Sequence, residues 1–92
     1  MKKIFKYKLD VVQNQSISIP KNALILCAQA QDIDLNIWAI VNDDEEKEER
    51  KISIYGTGHD MPENPGHYIS TVQLNNGAYV NNGAYVFHIF EN

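Results

Sequence analysis

The stretch Ile4-Phe5-Lys6-Tyr7-Lys8-Leu9 decides how this chain is read. Phe5, Tyr7 and Leu9 alternate with Lys6 and Lys8, a period of two that sets apolar side chains on one face of a strand and ammonium groups on the other. The same period recurs along the chain. Ile17 and Ile19 alternate with Ser16 and Ser18, ahead of a turn signal at Pro20-Lys21-Asn22. Ala23–Gln31 opens with the apolar run Leu24-Ile25-Leu26-Cys27 and then alternates alanine with glutamine. Asp34–Asn42 carries Ile37-Trp38-Ala39-Ile40-Val41 and reads as a central strand covered on both faces. Arg50–Tyr55 alternates Ile52 and Ile54 with Lys51 and Ser53. His67–Leu74 places Tyr68, Ser70, Val72 and Leu74 on one face and Ile69, Thr71 and Gln73 on the other. Tyr85, Phe87 and Ile89 alternate with Val86, His88 and Phe90. The expected fold is all-β, a small antiparallel sandwich or barrel-like sheet of six to seven strands.

The chain has 92 residues, a mass of 10.5 kDa and 43% apolar content, which makes residues 1–92 a single β domain. A chain of this size buries roughly 60–65% of its unfolded surface, so its core is modest and a homo-oligomer is expected. Cys27 is the only cysteine, which excludes a disulfide-stapled secreted scaffold. Inside an apolar strand its thiol is expected to be buried and inert. No apolar run approaches the ~20 residues of a membrane-spanning helix, and Met1-Lys2-Lys3 is not followed by a signal-peptide core. A bacterial cytoplasm and no membrane partner are expected. The net charge of −4 argues against general nucleic-acid binding.

The charge is unevenly spread. Of the twelve acidic residues, six lie in Asp43–Glu49: Asp43, Asp44, Glu45, Glu46, Glu48 and Glu49. That stretch also holds Lys47, so the remainder carries seven basic and six acidic residues, a net of +1. Four lysines, Lys2, Lys3, Lys6 and Lys8, stand in the first eight residues. A basic strand and an acidic tip are expected, read either as solvated surface or as a local anion or partner site. Asp43–Arg50 has no apolar helical face and reads as a long charged hairpin connection. Asn75-Asn76-Gly77-Ala78-Tyr79-Val80 repeats as Asn81-Asn82-Gly83-Ala84-Tyr85-Val86, and either Asn-Gly step can turn the last hairpin. The period of six is even, so the duplication keeps the inward face inward.

The loop Tyr55-Gly56-Thr57-Gly58-His59-Asp60 follows a strand and opens the longest irregular segment. Glycines on either side of a threonine let backbone N–H groups approach an anion, and the hydroxyl and imidazole add donors. It is neither a P-loop nor a dinucleotide fingerprint, since the lysine and the required spacings are missing. A purely structural role, with turns at Gly56 and Gly58 and His59 capping the loop, fits the same residues. His59, His67 and His88 match no zinc spacing, and no cofactor is expected. Trp38 has two readings: a core anchor, or a ring that stacks on a nucleobase opposite Tyr55 or Tyr68. His88 reads as a packed or interface histidine. No recognisable nucleophile setting surrounds Ser53, Thr57 or Ser70, so no enzymatic activity is expected.

Lys3-Ile4-Phe5-Lys6-Tyr7, Pro20-x-x-Ala23 into Ile25-Leu26, Ile37-Trp38-Ala39, Tyr55-Gly56-Thr57-Gly58-His59 and the ending Gly83–Glu91 together resemble small proteins of unknown function encoded by phages and prophages. The duplicated Asn-Asn-Gly-Ala-Tyr-Val departs from their pattern. The resemblance implies expression in the cytoplasm of an infected bacterium. In that setting the expected role is counter-defence: binding and sequestering a small nucleotide-derived immune signal without catalysis. Gly56, Thr57 and Gly58 would hold phosphate or ribose, Arg50 and His59 would balance charge, and Trp38 or Tyr55 would stack on the base, at a site between subunits. The alternative is a module that inhibits a host defence protein through an edge strand or the acidic tip at residues 43–49.

Overall fold

The computed structural model describes residues 1–75 and 84–92, and among them the chain forms seven strands and no helix. They are β1 (Lys2–Leu9), β2 (Asn14–Pro20), β3 (Leu24–Gln31), β4 (Asp34–Asn42), β5 (Lys47–Gly56), β6 (His67–Asn75) and β7 (Ala84–Glu91). Every pairing is antiparallel, in one sheet of order β1-β4-β3 and a second of order β2-β5-β7-β6. The two sheets bury one face each against the other. The three-stranded sheet contributes Leu9, Leu35, Ile37, Ala39 and Val41, and the four-stranded sheet contributes Ile17, Ile19, Ile52, Ile54, Val72 and Ile89. Period-two patterning thus becomes a single inter-sheet core, with each sheet's other face turned outward.

The chain changes sheets three times, after β1, β2 and β4. Between β2 and β3, Asn22 takes a positive φ of 65°, and the Lys21 N–H donates to the Glu46 carbonyl at 2.8 Å. Asparagine tolerates that left-handed conformation better than a branched residue does. One side of the sandwich is closed where the Ala28 N–H of β3 donates to Ser70 Oγ of β6 at 2.9 Å. On the other side, among the described residues, β1 pairs only with β4 and β2 only with β5, which leaves both as edges.

Some expectations are corrected here. β4 is central in its sheet but covered on one face only, because the alternating partners of its core residues, Trp38 and Ile40, face outward and stay half-buried. The acidic stretch is not a long hairpin connection. Asp43–Glu46 is a short link from one sheet to the other, and Glu48, Glu49 and Arg50 already lie in β5. A register shift between Tyr68 and Ser70 moves Tyr68 from the face of Ser70 to that of Thr71, opposite Phe90. Cys27 is half-buried rather than enclosed, since a bulge between Ile25 and Cys27 sets it opposite Trp38 on the outward face. The repeat spans residues 75–86, and the choice between its two Asn-Gly steps for the last turn falls on residues 76–83, outside the described residues.

β5 and β6 flank β7 and run parallel, so the chain from Thr57 to Gly66 returns along the sheet from the Gly56–Phe87 end to the His67–Glu91 end. Gly66 ends this return at φ +95°, and a Cβ there would sit 2.2 Å from the Glu91 carbonyl oxygen. Gly58 is also left-handed, at +85°, but open space surrounds the position of its absent Cβ. Gly66→Ala is therefore expected to cost more than Gly58→Ala, by about 2 kcal/mol or more. Equilibrium denaturation of the two variants checks the order.

Candidate functional site

β5 ends at Gly56, and the next residues turn sharply. The Thr57 N–H donates to the Val86 carbonyl at 3.2 Å, and the His59 N–H donates to the Gly56 carbonyl at 3.1 Å. The His59 ring folds back onto Gly56, where an added Cβ would lie 2.8 Å from the imidazole. The glycine is needed for that close approach. Thr57 is thereby presented at the end of β5, beside β7.

Its hydroxyl meets His88. Thr57 Oγ1 and His88 Nε2 are 2.8 Å apart, and the other ring nitrogen, Nδ1, lies 3.0 Å from Thr71 Oγ1. Thr71 Oγ1 in turn is 2.7 Å from the Tyr68 hydroxyl. Four side chains from the β5–β6 loop, β7 and β6 form one hydrogen-bonded row across the outer face of the four-stranded sheet. The strand register places them there, with His88 opposite Tyr55 on one side and Thr71 on the other. The row closes in either direction: Tyr68 can donate to Thr71, Thr71 to Nδ1, Nε2–H to Thr57 and Thr57 to the Val86 carbonyl at 3.5 Å, or each bond within the row can reverse. Such a row offers a ligand either donors or acceptors. Tyr68 is 59% exposed and stands edge-on to Phe90, with ring centroids 5.6 Å apart.

Several residues singled out in the sequence take other places. Arg50 spans the end of the sandwich. Its Nε and Nη2 donate to the two carboxylate oxygens of Glu91, Nη2 at 3.0 Å, and Nη1 donates to the Ala23 carbonyl at 3.0 Å. The Glu91 carboxylate holds the guanidinium pKa above its ordinary value, so this charge is already matched inside the protein. Tyr55 faces the His88 side of β5 but is only 4% exposed, with Phe90 edge-on at 5.9 Å. It supports the row from within rather than offering a free ring. Trp38 lies on the outer face of the other sheet, so a single protomer does not bring it together with Thr57 and His59. Sequence reasoning missed Thr71 and read His88 as a packed or interface histidine; the available signal was the position of both in alternating strands, outward of Val72 and Ile89.

Three of the six acids of the tip lie beside side-chain cations. Lys3 Nζ lies 2.6 Å from Asp43, Lys21 Nζ 3.3 Å from Glu46 and Arg50 Nη1 3.9 Å from Glu48. The hydrogen bond from Lys3 holds the Asp43 carboxyl below its ordinary pKa.

Residues 1–92 match the model of the Domain of unknown function (DUF7352). The chain belongs to this family. No curated protein and no solved structure matches it.

Two outcomes follow. Thr71→Val removes one partner of His88, and it is expected to change the imidazole ¹⁵N shifts while lowering stability by only about 0.5–1.5 kcal/mol. Asp43, whose folded pKa is depressed, contributes stability above the ordinary carboxylate pKa that is lost as pH falls through the folded value. In Lys3→Ala the ¹³C-detected titration of Asp43 should move up toward the ordinary range.

Proposed function

We propose that this domain is a non-catalytic binder that sequesters a small nucleotide-derived signal, acting as a phage counter-defence protein in the cytoplasm of the infected bacterium. The observation that supports this reading is the continuity of the Gly56–His59 turn with the Thr57–His88–Thr71–Tyr68 row on an outward sheet face. Hydroxyls and imidazoles at hydrogen-bond spacing suit phosphate and ribose oxygens, and the exposed Tyr68 ring suits a base. Thr57, Gly58 and His59 take the polar part of the ligand. Tyr55 and Arg50 serve as struts, one packed under the row and one tied to Glu91. Retention needs tight contacts and slow release, and the row includes no carboxylate to orient His88 as a strong base.

A second reading is favoured by a separate observation. β1 presents a free edge, with Lys2, Lys3, Lys6 and Lys8 along it, which suits strand addition by a host defence protein. The ion pairs of Asp43, Glu46 and Glu48 make the acidic tip the weaker half of that alternative.

Native mass spectrometry and calorimetry with a panel of cyclic dinucleotides test the first reading. Expected is a stoichiometric mass gain with the ligand recovered unhydrolysed, and a loss of affinity of more than about tenfold in Thr57→Ala/His59→Ala and in His88→Ala. No binding by the wild-type chain, or unchanged affinity in both variants, would refute this placement.

A further inference from the structure

We propose, building on the placement of the ligand at the Thr57–His88–Thr71–Tyr68 row, that this row is a proton-dependent anion site: it takes a phosphodiester together with one proton on His88. Three links join its four side chains, at 2.8 Å from Thr57 to Nε2, 3.0 Å from Nδ1 to Thr71 and 2.7 Å from Thr71 to Tyr68. Three hydroxyls and a neutral imidazole supply four polar hydrogens, and each link uses one of them. A single hydrogen is left for a ligand.

That hydrogen stands at one end only. With the ring hydrogen on Nε2, Thr57 keeps a free O–H and Tyr68 is used as the donor to Thr71. With it on Nδ1, Tyr68 keeps the free O–H and Thr57 can only accept. A neutral row therefore meets an anion with a donor at one end and lone pairs at the other. Protonation of His88 supplies the missing hydrogen. Both ring nitrogens then donate, Thr71 donates on to Tyr68, and an O–H is free at each end. The Val86 carbonyl is a weak competitor for the Thr57 hydrogen, since it lies 3.5 Å from Oγ1.

Among the described residues no fixed charge stands in the row. Tyr55 and Thr57 face His88 from β5 and its turn, Thr71 and Tyr68 from β6, and Phe90 lies next to it on the same face of β7. Arg50 is taken by Glu91, and Lys51 stands four residues along β5 from Tyr55. The adjoining loop brings His59, whose ring rests on Gly56, and the exposed Asp60 beside it. An anion held at Thr57 thus has imidazoles, rather than ammonium or guanidinium groups, to balance it. Imidazole is the side chain that ordinarily changes charge between about pH 5 and 8. His88 is half-buried between exposed Thr57, Thr71 and Tyr68, so both ends of the row are open while its charge is screened less than on open surface. Anion and proton each favour the binding of the other by the same factor.

The probe is dimethyl phosphate, a phosphodiester monoanion that does not itself titrate near neutral pH. Its affinity for the full chain is expected to rise about tenfold or more from about pH 8 to about pH 6. The His88 ring ¹⁵N shifts should move to the doubly protonated pattern on binding, and calorimetry in two buffers of different ionisation enthalpy should read the uptake of a proton. His88→Gln, which keeps a neutral donor and acceptor, should lose the pH dependence. Tyr68→Phe removes the far donor and should lose most of the rise, both variants keeping the wild-type far-ultraviolet circular dichroism. An affinity independent of pH, or no binding of the probe at about pH 6, overturns the proposal. So does a rise that persists in His88→Gln, which would assign the proton to His59. The cyclic dinucleotide panel keeps the two readings apart. A dinucleotide bound without proton uptake overturns the proton coupling alone, whereas dimethyl phosphate bound with proton uptake and no dinucleotide bound overturns sequestration alone.

Discussion

Ile19, Ile52 and Ile89 from one sheet and Ile37 from the other are all 0% exposed, and everything else in the molecule depends on that layer of isoleucines. Each such side chain contributes about 1.5–3 kcal/mol by leaving water, and a chain of this length has few of them. With one buried face per sheet, the strands fill a single core by alternation, interrupted at the bulge in β3 and the register shift in β6. Alternation in turn dictates what stands outside: Ile40 and Trp38 opposite Ile37 and Ala39 in β4, and His88 and Phe90 opposite Ile89 in β7. The outward surface of each sheet is a consequence of the core.

The Arg50–Glu91 pair shows how the end of the sandwich is held where apolar surface runs out. It ties β5 to the end of β7 and, through the Ala23 carbonyl, to the chain entering β3. Both side chains are about four-fifths buried, so neither tolerates loss of the other without leaving a charge unmatched. Such a partnership explains why a residue type suited to anions is here structural.

Much of the fold was legible from residue alternation, because a period of two survives whatever the strand's neighbours are. The strands around Phe5–Leu9, Ile17–Ile19, Ile52–Ile54 and Tyr85–Phe90 needed nothing else. Less was legible where one residue changes the phase. The bulge at Ile25–Cys27 and the shift at Tyr68–Ser70 carry no signature as strong as glycine or proline, yet the second brings Tyr68 onto the face of Thr71. The Gly-Thr-Gly-His turn was recognisable by its glycines. Its contact with His88 was not, since the two residues are distant in the chain and only the β5–β7 pairing joins them.

Alone, the sequence determined the class of the fold, the inward face of most strands and the position of the sharp turn after β5, because these follow from local patterning and backbone sterics. The tertiary structure decided the strand order, the assignment of Arg50 to Glu91 rather than to solvent, and the placement of Trp38 on the sheet opposite to the Thr57–His88 row. Those outcomes depend on which strands become neighbours. That choice is made by the packing of the whole core, and no single segment encodes it.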